Sequence, residues 1–357
     1  MPLAVLILNF NGRRLLAECL PSVIKAAQAS RHAPRVVVID NGSSDDSRSF
    51  LQSQFPEVEV IDRPNLGLIS YNGVLAEFDC DVAVLLNNDV KLAEDCLDRL
   101  VAPLMNPSGA ANRCFMTAPQ CRKFDGLTCE GLKTAVRWRW GLVQASCCYP
   151  GYTKHAQRPG WTASAGPVMA VHRQRFLELG GFDPLYLPGR LEDLDFAFRG
   201  YLAGYHARYV PEALAYHQGG ATFTECFGPQ GCDDLALRNT LLFQWKNLRH
   251  PLHIARHVAG LTLRLLAEPL RATGPRPARW RLVRALQQAV VRWRQMAARP
   301  STPITLVRLG REWRFFYRFH PRRIDRPRAE SPETAIELAH LGGQENETIS
   351  IGMEAAV

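Results

Sequence analysis

The sequence predicts an α/β protein with a doubly wound, mostly parallel central sheet, followed by a basic helical extension. Three observations carry this. Short apolar runs at 3–8, 36–40, 58–62 and 82–86 alternate with stretches of helical periodicity, the pattern of βαβ units. Two of the runs end in polar residues, Asp40 and Asn87-Asn88-Asp89, at the strand ends where open α/β sheets bind ligands. Beyond Leu235 the chain turns helical and Arg-rich: from Arg238 to Arg328 there are 21 Lys/Arg against only Glu268, Glu312 and Asp325.

The elements follow in order. After the first strand, Arg13 to Gln28 places Leu15, Leu16, Leu20, Val23, Ile24 and Ala27 at helical spacing. Val36–Asp40 is a strand closed by the turn-rich Asn41-Gly-Ser-Ser-Asp-Asp46, and Asp46 or Ser47 can cap a helix through Gln54. Val58–Asp62 is a third strand, Tyr71 to Phe78 a helix, and Val82–Leu86 a fourth strand. Residues 106–159 mix Pro, Gly, Cys and Trp with basic residues and read as an irregular insertion or a small β region packed on the sheet. Gly166–His172 resumes as a strand, and Arg173 to Leu179 is a helix stopped by Gly180-Gly181. Leu194 to Leu202 is helical, ended by Gly204, and Ala213–Tyr216 is a short strand.

At 357 residues the chain can bury a sizeable core as one large domain or two small ones. The predicted division is 1–234 for the α/β domain, 235–328 for the basic helical region and 329–357 for a loose tail without a periodic face. Ten cysteines include no CxxC pair, so reduced, partly buried thiols are expected rather than a zinc site or a disulfide framework. The apolar N-terminus lacks a positive leader and no window reaches a spanning length, so a cytoplasmic body is expected.

Four constellations can carry chemistry. Asp40, before Gly42 and Ser43, can accept hydrogen bonds from a nucleobase or ribose; equally, it can bond its own turn. Asn87-Asn88-Asp89 leaves the buried strand abruptly, and one carboxylate flanked by amides suits a divalent ion already carrying diphosphate oxygens, the alternative being a solvated turn. Glu192-Asp193 opens an amphipathic helix, where a carboxylate is favoured as the ion and can act as a general base; an ordinary acidic first turn is the plain alternative. His217 ends a strand and can ligate a metal, though a lone histidine is more often a packing residue.

Together these residues resemble the family 2 glycosyltransferases, inverting enzymes of GT-A fold, and their rhamnosyltransferase-like branch. Eight pieces occur in the family's order over about residues 3–220: Val5–Gly12, Val36–Asp45, Arg63–Gly67, Leu85–Asp89, Gly166–Met169, Gly180–Asp183, Glu192–Asp195 and Pro211–His217. The resemblance implies Asp193 as catalytic base, and Asp89 with His217 as protein ligands to Mg²⁺ or Mn²⁺. It implies donor contacts from Asn9, Asn11, Asp40, Asn65, Gly67, Asn87 and Asn88, and Glu192 and Gly166 on the acceptor side. Implied partners are a UDP- or dTDP-sugar such as dTDP-rhamnose and a glycan or lipid-linked acceptor of cell-surface polysaccharide synthesis. Two departures stand out: Leu68-Ile-Ser-Tyr71 where the family has small residues, and a stretch at 114–161 that matches nothing specific.

In the basic region, His253, Arg256, His257, Gly260, Arg264 and Arg271 share one helical stripe, with Ile254, Val258, Leu261, Leu265 and Leu266 mostly opposite. One reading is a helix lying at an anionic membrane on the cytoplasmic face, with residues 251–328 as the contact. The other is a helical subdomain packing its apolar side on the body with arginines solvated. No nucleic acid is expected, because the arginines alternate with apolar residues. A catalytically silent nucleotide-sugar-binding scaffold of a polysaccharide assembly complex is the alternative to an enzyme.

Overall fold

Polar strand ends meet because parallel strands start and stop together. The computed structural model describes residues 1–105, 113–131, 133–219, 221–267, 280–296 and 304–324. Strand β1 (Leu3–Asn9) is followed by helix α1 (Arg13–Ala29), β2 (Arg35–Asp40), α2 (Ser47–Gln54), β3 (Glu59–Asp62), α3 (Ser70–Glu77) and β4 (Val82–Asn87). These four strands lie parallel in the order β3-β2-β1-β4. Their register sets Asn9 beside Asp40 and Leu8 beside Asn87 at one edge.

Next come β5 (Val90–Leu92), α4 (Cys96–Met105), β6 (Cys114–Arg122), β7 (Cys129–Gly131), and the hairpin of β8 (Ala135–Arg139) and β9 (Leu142–Ser146). They are followed by β10 (Gly160–Trp161), β11 (Val168–His172), α5 (Arg173–Glu178), α6 (Glu192–Ala203) and β12 (His206–His217). The large sheet continues β4-β11-β6-β12-β10; β11 runs against both neighbours, while β6 and β12 pair in parallel. The expected fold class holds, with one correction. The stretch read as an irregular insertion or a small β region packed on the sheet holds several strands, and one of them, β6, is a buried strand inside the main sheet.

The period-2 alternation of β1 divides the core between two layers. Leu3, Val5 and Ile7 pack with α1 and α4, whereas Ala4 and Leu6 pack with α3 and the aromatic cluster of Phe176, Phe182 and Phe196. Gly180 and Gly181, at φ 76° and 61°, turn the chain after α5 as expected. At α2 the capping expectation needs amending: Asp45, rather than Asp46 or Ser47, accepts from the Ser47 amide at 3.1 Å.

Among the described residues four helices follow: α7 (Ala221–Asn247), α8 (Pro251–Ala267), α9 (Arg281–Gln295) and α10 (Leu306–Arg318). Gly228, at φ 66° and ψ 166°, breaks α7 near its start, and the helix then runs straight through residue 234. The described residues, up to Ile324, form one compact unit. A third core joins the β8–β9 hairpin, the outer face of α6 and helices α7, α9 and α10; Phe198 of α6 lies 5.5 Å from Phe243 and 4.8 Å from Phe315, ring to ring. All ten cysteines are free thiols. Among the described residues no helix is long and apolar enough to cross a membrane. The expected tail at 329–357 and the stretches 268–279 and 297–303 of the basic region lie outside the described residues.

Candidate functional site

The turns after β1 and β2 interlock. Asn9 donates to Asp40 Oδ1 and to Ser43 Oγ, both at 3.2 Å, and accepts from Asn88 Nδ2 at 2.8 Å. Asp40 also accepts from the Ser43 amide at 3.1 Å and hydroxyl at 2.6 Å. Asn11, at φ 48°, accepts from the Ser44 amide at 2.7 Å. Gly12 makes this close fit feasible, since a Cβ there would fall 2.0 Å from Asn88 Nδ2. Asn9 and Asp40 are therefore buried framework beneath the strand edge, with their polar atoms turned toward one another.

Above that framework lies a cavity of about 460 Å³ lined by Leu8, Phe10, Asn41, Asn65, Gly67, Asn87, Asn88, Asp89 and, from α7, Phe223 and Phe227. Asn65 accepts from the Gly67 amide at 3.2 Å, and Gly67 O accepts from Asn41 at 3.1 Å, which fixes the loop at φ 54°. Four of the expected donor residues, Asn65, Gly67, Asn87 and Asn88, line this cavity; Asn9, Asn11 and Asp40 do not.

A second chamber of about 700 Å³ adjoins the first across Leu68, Asn87 and Phe223. Its wall brings together Glu130, Ser164, Gly166, Glu192, Asp193 and His217. The Asp193 carboxylate accepts from Ser164 Oγ, from the Gly166 amide at 3.1 Å and from the Leu194 amide at 2.8 Å, so three donors orient it. Glu192 is buried beside it. Burial pushes its carboxyl up to about 8, and the neighbouring Asp193 charge adds to the effect. A protonated Glu192 can donate as well as accept near neutral pH.

The start of α6 is anchored from behind. Asp195 is fully buried and accepts from Lys246 at 2.6 Å, Arg199 at 2.8 Å, Asn247 at 2.7 Å and Tyr186 at 2.9 Å. Burial alone would raise its carboxyl, but Lys246 and Arg199 outweigh burial and hold it well below the usual carboxylate range. Arg190 and Leu191, at φ 80° and 70°, occupy left-handed backbone just before the helix, so the acid pair sits on a bent, pinned turn.

Asp89 and His217 meet where the two cavities adjoin, His217 Nε2 lying 3.2 Å from Asp89 Oδ1. On its other side His217 Nδ1 lies 3.1 Å from Glu130 Oε2. Burial would lower the imidazole, but the two flanking carboxylates win and raise it to about 9. Despite these short separations, Asp89 Oδ1, Glu130 Oε2 and both His217 nitrogens make no aligned hydrogen bond. Buried polar atoms so placed suit a cation between Asp89 and His217. Among the described residues no group of three or more His, Cys, Asp or Glu forms a complete metal cage, so further ligands would have to come from substrate oxygens and water.

Sequence reasoning missed Glu130 and Ser164. Glu130 is the sole acid between Asp125 and Glu178, a faint signal for a functional role. Gly219, at φ 90°, admits it: a Cβ there would fall 2.6 Å from Glu130 Oε1.

Residues 4–146 match the family model described as Glycosyl transferase family 2. Among solved structures, the chain is similar to S. aureus TarS 1-349 in complex with UDP-GlcNAc, at 14% identity and a TM-score of 0.52, covering 82% of this chain and 81% of that one. It is more loosely similar to the mannosyltransferase PcManGT from Pyrobaculum calidifontis in complex with GDP-Man and Mn²⁺, at 17% identity and TM-score 0.47, covering 88% and 87% of the two chains. A third similarity is to GalNAc-T7 with UDP, GalNAc and Mn²⁺, at 22% identity and TM-score 0.48; 60% of this chain is covered, but it spans only 43% of that transferase. No curated protein sequence matches the chain. The fold is GT-A.

Proposed function

We propose that the protein is an inverting family 2 glycosyltransferase that moves a sugar from a nucleoside diphosphate to a hydroxyl of a glycan or lipid-linked acceptor. The observation that carries this reading is the position of Asp193 in the wall of the larger chamber, with Asp89 and His217 in contact at its boundary with the smaller cavity. The nucleotide occupies the smaller cavity, and its sugar extends past Asn87 into the chamber. Asp193 takes the proton of the acceptor hydroxyl while that oxygen bonds to the anomeric carbon. The bond from that carbon to the diphosphate oxygen breaks on the opposite face, inverting the configuration and releasing the nucleoside diphosphate. Ser164 and the Gly166 amide hold the base in its orientation. Asp89 and His217 would hold Mg²⁺ or Mn²⁺, which when bound offsets charge on the departing diphosphate.

The resemblance in sequence to the rhamnosyltransferase-like branch supports a UDP- or dTDP-sugar donor, with dTDP-rhamnose as the first candidate, and a product in cell-surface polysaccharide. Calorimetry with UDP, dTDP and GDP, with and without Mn²⁺, tests the donor site. One nucleotide is expected to bind in the presence of Mn²⁺, about tenfold or more weaker in Asp89→Ala. No binding by the folded protein contradicts the reading.

A further inference from the structure

Helix α8 packs on the body with the side that ordinarily faces water. His253, His257 and Gly260 are buried, and His257 Nδ1 lies 2.9 Å from Gly141 O at the turn of the β8–β9 hairpin. Helix and turn touch so closely that a Cβ on Gly260 would fall 2.3 Å from Gly141 Cα. Arg264 donates to Trp140 O at 2.8 Å and Arg139 O at 3.0 Å. At the other end of the helix, His253 meets the buried Glu312 at 2.8 Å and stacks on Trp138 and Trp313.

The opposite arc is therefore left outward. Leu252, Val258 and Leu266 are 62%, 55% and 69% exposed, and Ala255, Ala259 and Leu263 lie among them. The only charged residues of α8 are Arg256 and Arg264, and neither falls on this arc. Helices on soluble domains turn such a face to the core, and soluble monomers rarely leave a large contiguous apolar patch uncovered. The histidine stripe packs inward together with the half-buried Leu261, and the apolar arc from Leu252 to Leu266 does not rest on the body.

We propose that the outer face of α8 docks the protein in the plane of an anionic lipid bilayer. Exposed tryptophans stand near both ends of the helix, Trp140 beside its C-terminal half and Trp313 beside His250 and His253, and aromatic residues favour the membrane interface. Arg139 and Arg256 are exposed at its border, and the surrounding sequence from Arg238 to Arg328 carries 21 basic residues against three acids. That charge complements anionic headgroups. A second copy of the chain would instead bring two arginine-rich rims together. The proposal goes beyond the transferase reading and does not depend on it, because docking is measured without nucleotide.

Co-sedimentation tests it, using vesicles of phosphatidylcholine alone or mixed with phosphatidylglycerol. The wild-type protein is expected to bind the mixed vesicles and to lose at least about tenfold in partitioning when Val258→Asp and Leu266→Asp are combined. Both positions are exposed, so the melting temperature should hold; Trp140→Ala, outside the helix, should weaken binding severalfold on its own. Wild-type protein that ignores the mixed vesicles overturns the proposal, as does a folded double variant that binds them equally well. A concentration-dependent dimer abolished by the double variant, without vesicle binding, assigns the face to a second copy instead.

Discussion

His217 stands between two carboxylates, with Nε2 at 3.2 Å from Asp89 and Nδ1 at 3.1 Å from Glu130, at the junction of the two cavities. Strand β12 delivers the histidine, the turn between β4 and β5 delivers Asp89, and β7, on the edge of β6, delivers Glu130. If Asp89 and His217 serve one cation, their losses cannot add. Asp89→Ala and His217→Ala are each expected to lower Mn²⁺ affinity in the presence of nucleotide, and the double variant to be little worse than either single one. Additive losses by calorimetry would separate the two residues.

If His217 ligates a cation, Glu130, 3.1 Å behind its Nδ1, is the carboxylate placed to set the orientation of the imidazole. Glu130→Gln keeps the shape but removes the charge, and should weaken Mn²⁺ binding about tenfold. A purely structural role would instead lower the melting temperature and leave the Mn²⁺ affinity where it was.

The raised carboxyl of Glu192 gives a stability signature. Its folded value is about 8 against an ordinary 4.5, with burial the main cause. Below the ordinary value both folded and unfolded chains hold the proton, so the residue adds no pH dependence. Between the two values the unfolded chain releases a proton that the folded chain keeps, and stability falls as pH rises. Above about 8 the loss levels off. Glu192→Gln should therefore match wild type in acid and become progressively more stable than it toward pH 8, by on the order of 5 kcal/mol at most. Parallel melting curves across that range would refute the assignment.

Lys246 reaches Asp195 at 2.6 Å and Asp183 at 2.7 Å, tying the end of α7 to the turn that carries the acid pair. Lys246→Met leaves Asp195 buried with less compensation and should cost about 3–5 kcal/mol in denaturant melts. Replacing Asp195 by Asn in the same background should recover part of that loss, because the buried charge goes with it.

Much of this arrangement was legible in the sequence, for a simple reason. Asp40, Asn87–Asp89, Glu192-Asp193 and His217 each interrupt an apolar run or open a helix, and strand ends in a parallel sheet gather at one edge. What periodicity does not carry is which distant groups meet. Strand β6, with Pro119 and Gln120 among its apolar residues, reads as irregular or as a small β region on the sheet until β11 and β12 enclose it within the sheet. Asp40 is conspicuous in the sequence, yet Ser43 and Asn9 absorb its oxygens. Glu130 gains its role only through a short edge strand and a glycine after His217. The pattern of α8 shows two faces but not which is inward; that depended on Glu312 and Gly141 satisfying its histidines.

As the proposed general base, Asp193 is expected to remove the acceptor proton. The most direct measurement compares wild type with Asp193→Asn for nucleoside diphosphate released from UDP-, dTDP- and GDP-sugars in the presence of a glycolipid extract, with nucleotide affinity determined on the same samples. Wild type is expected to turn over one donor, and the variant to lose about a thousandfold or more at unchanged nucleotide affinity. Turnover retained in Asp193→Asn would contradict that role.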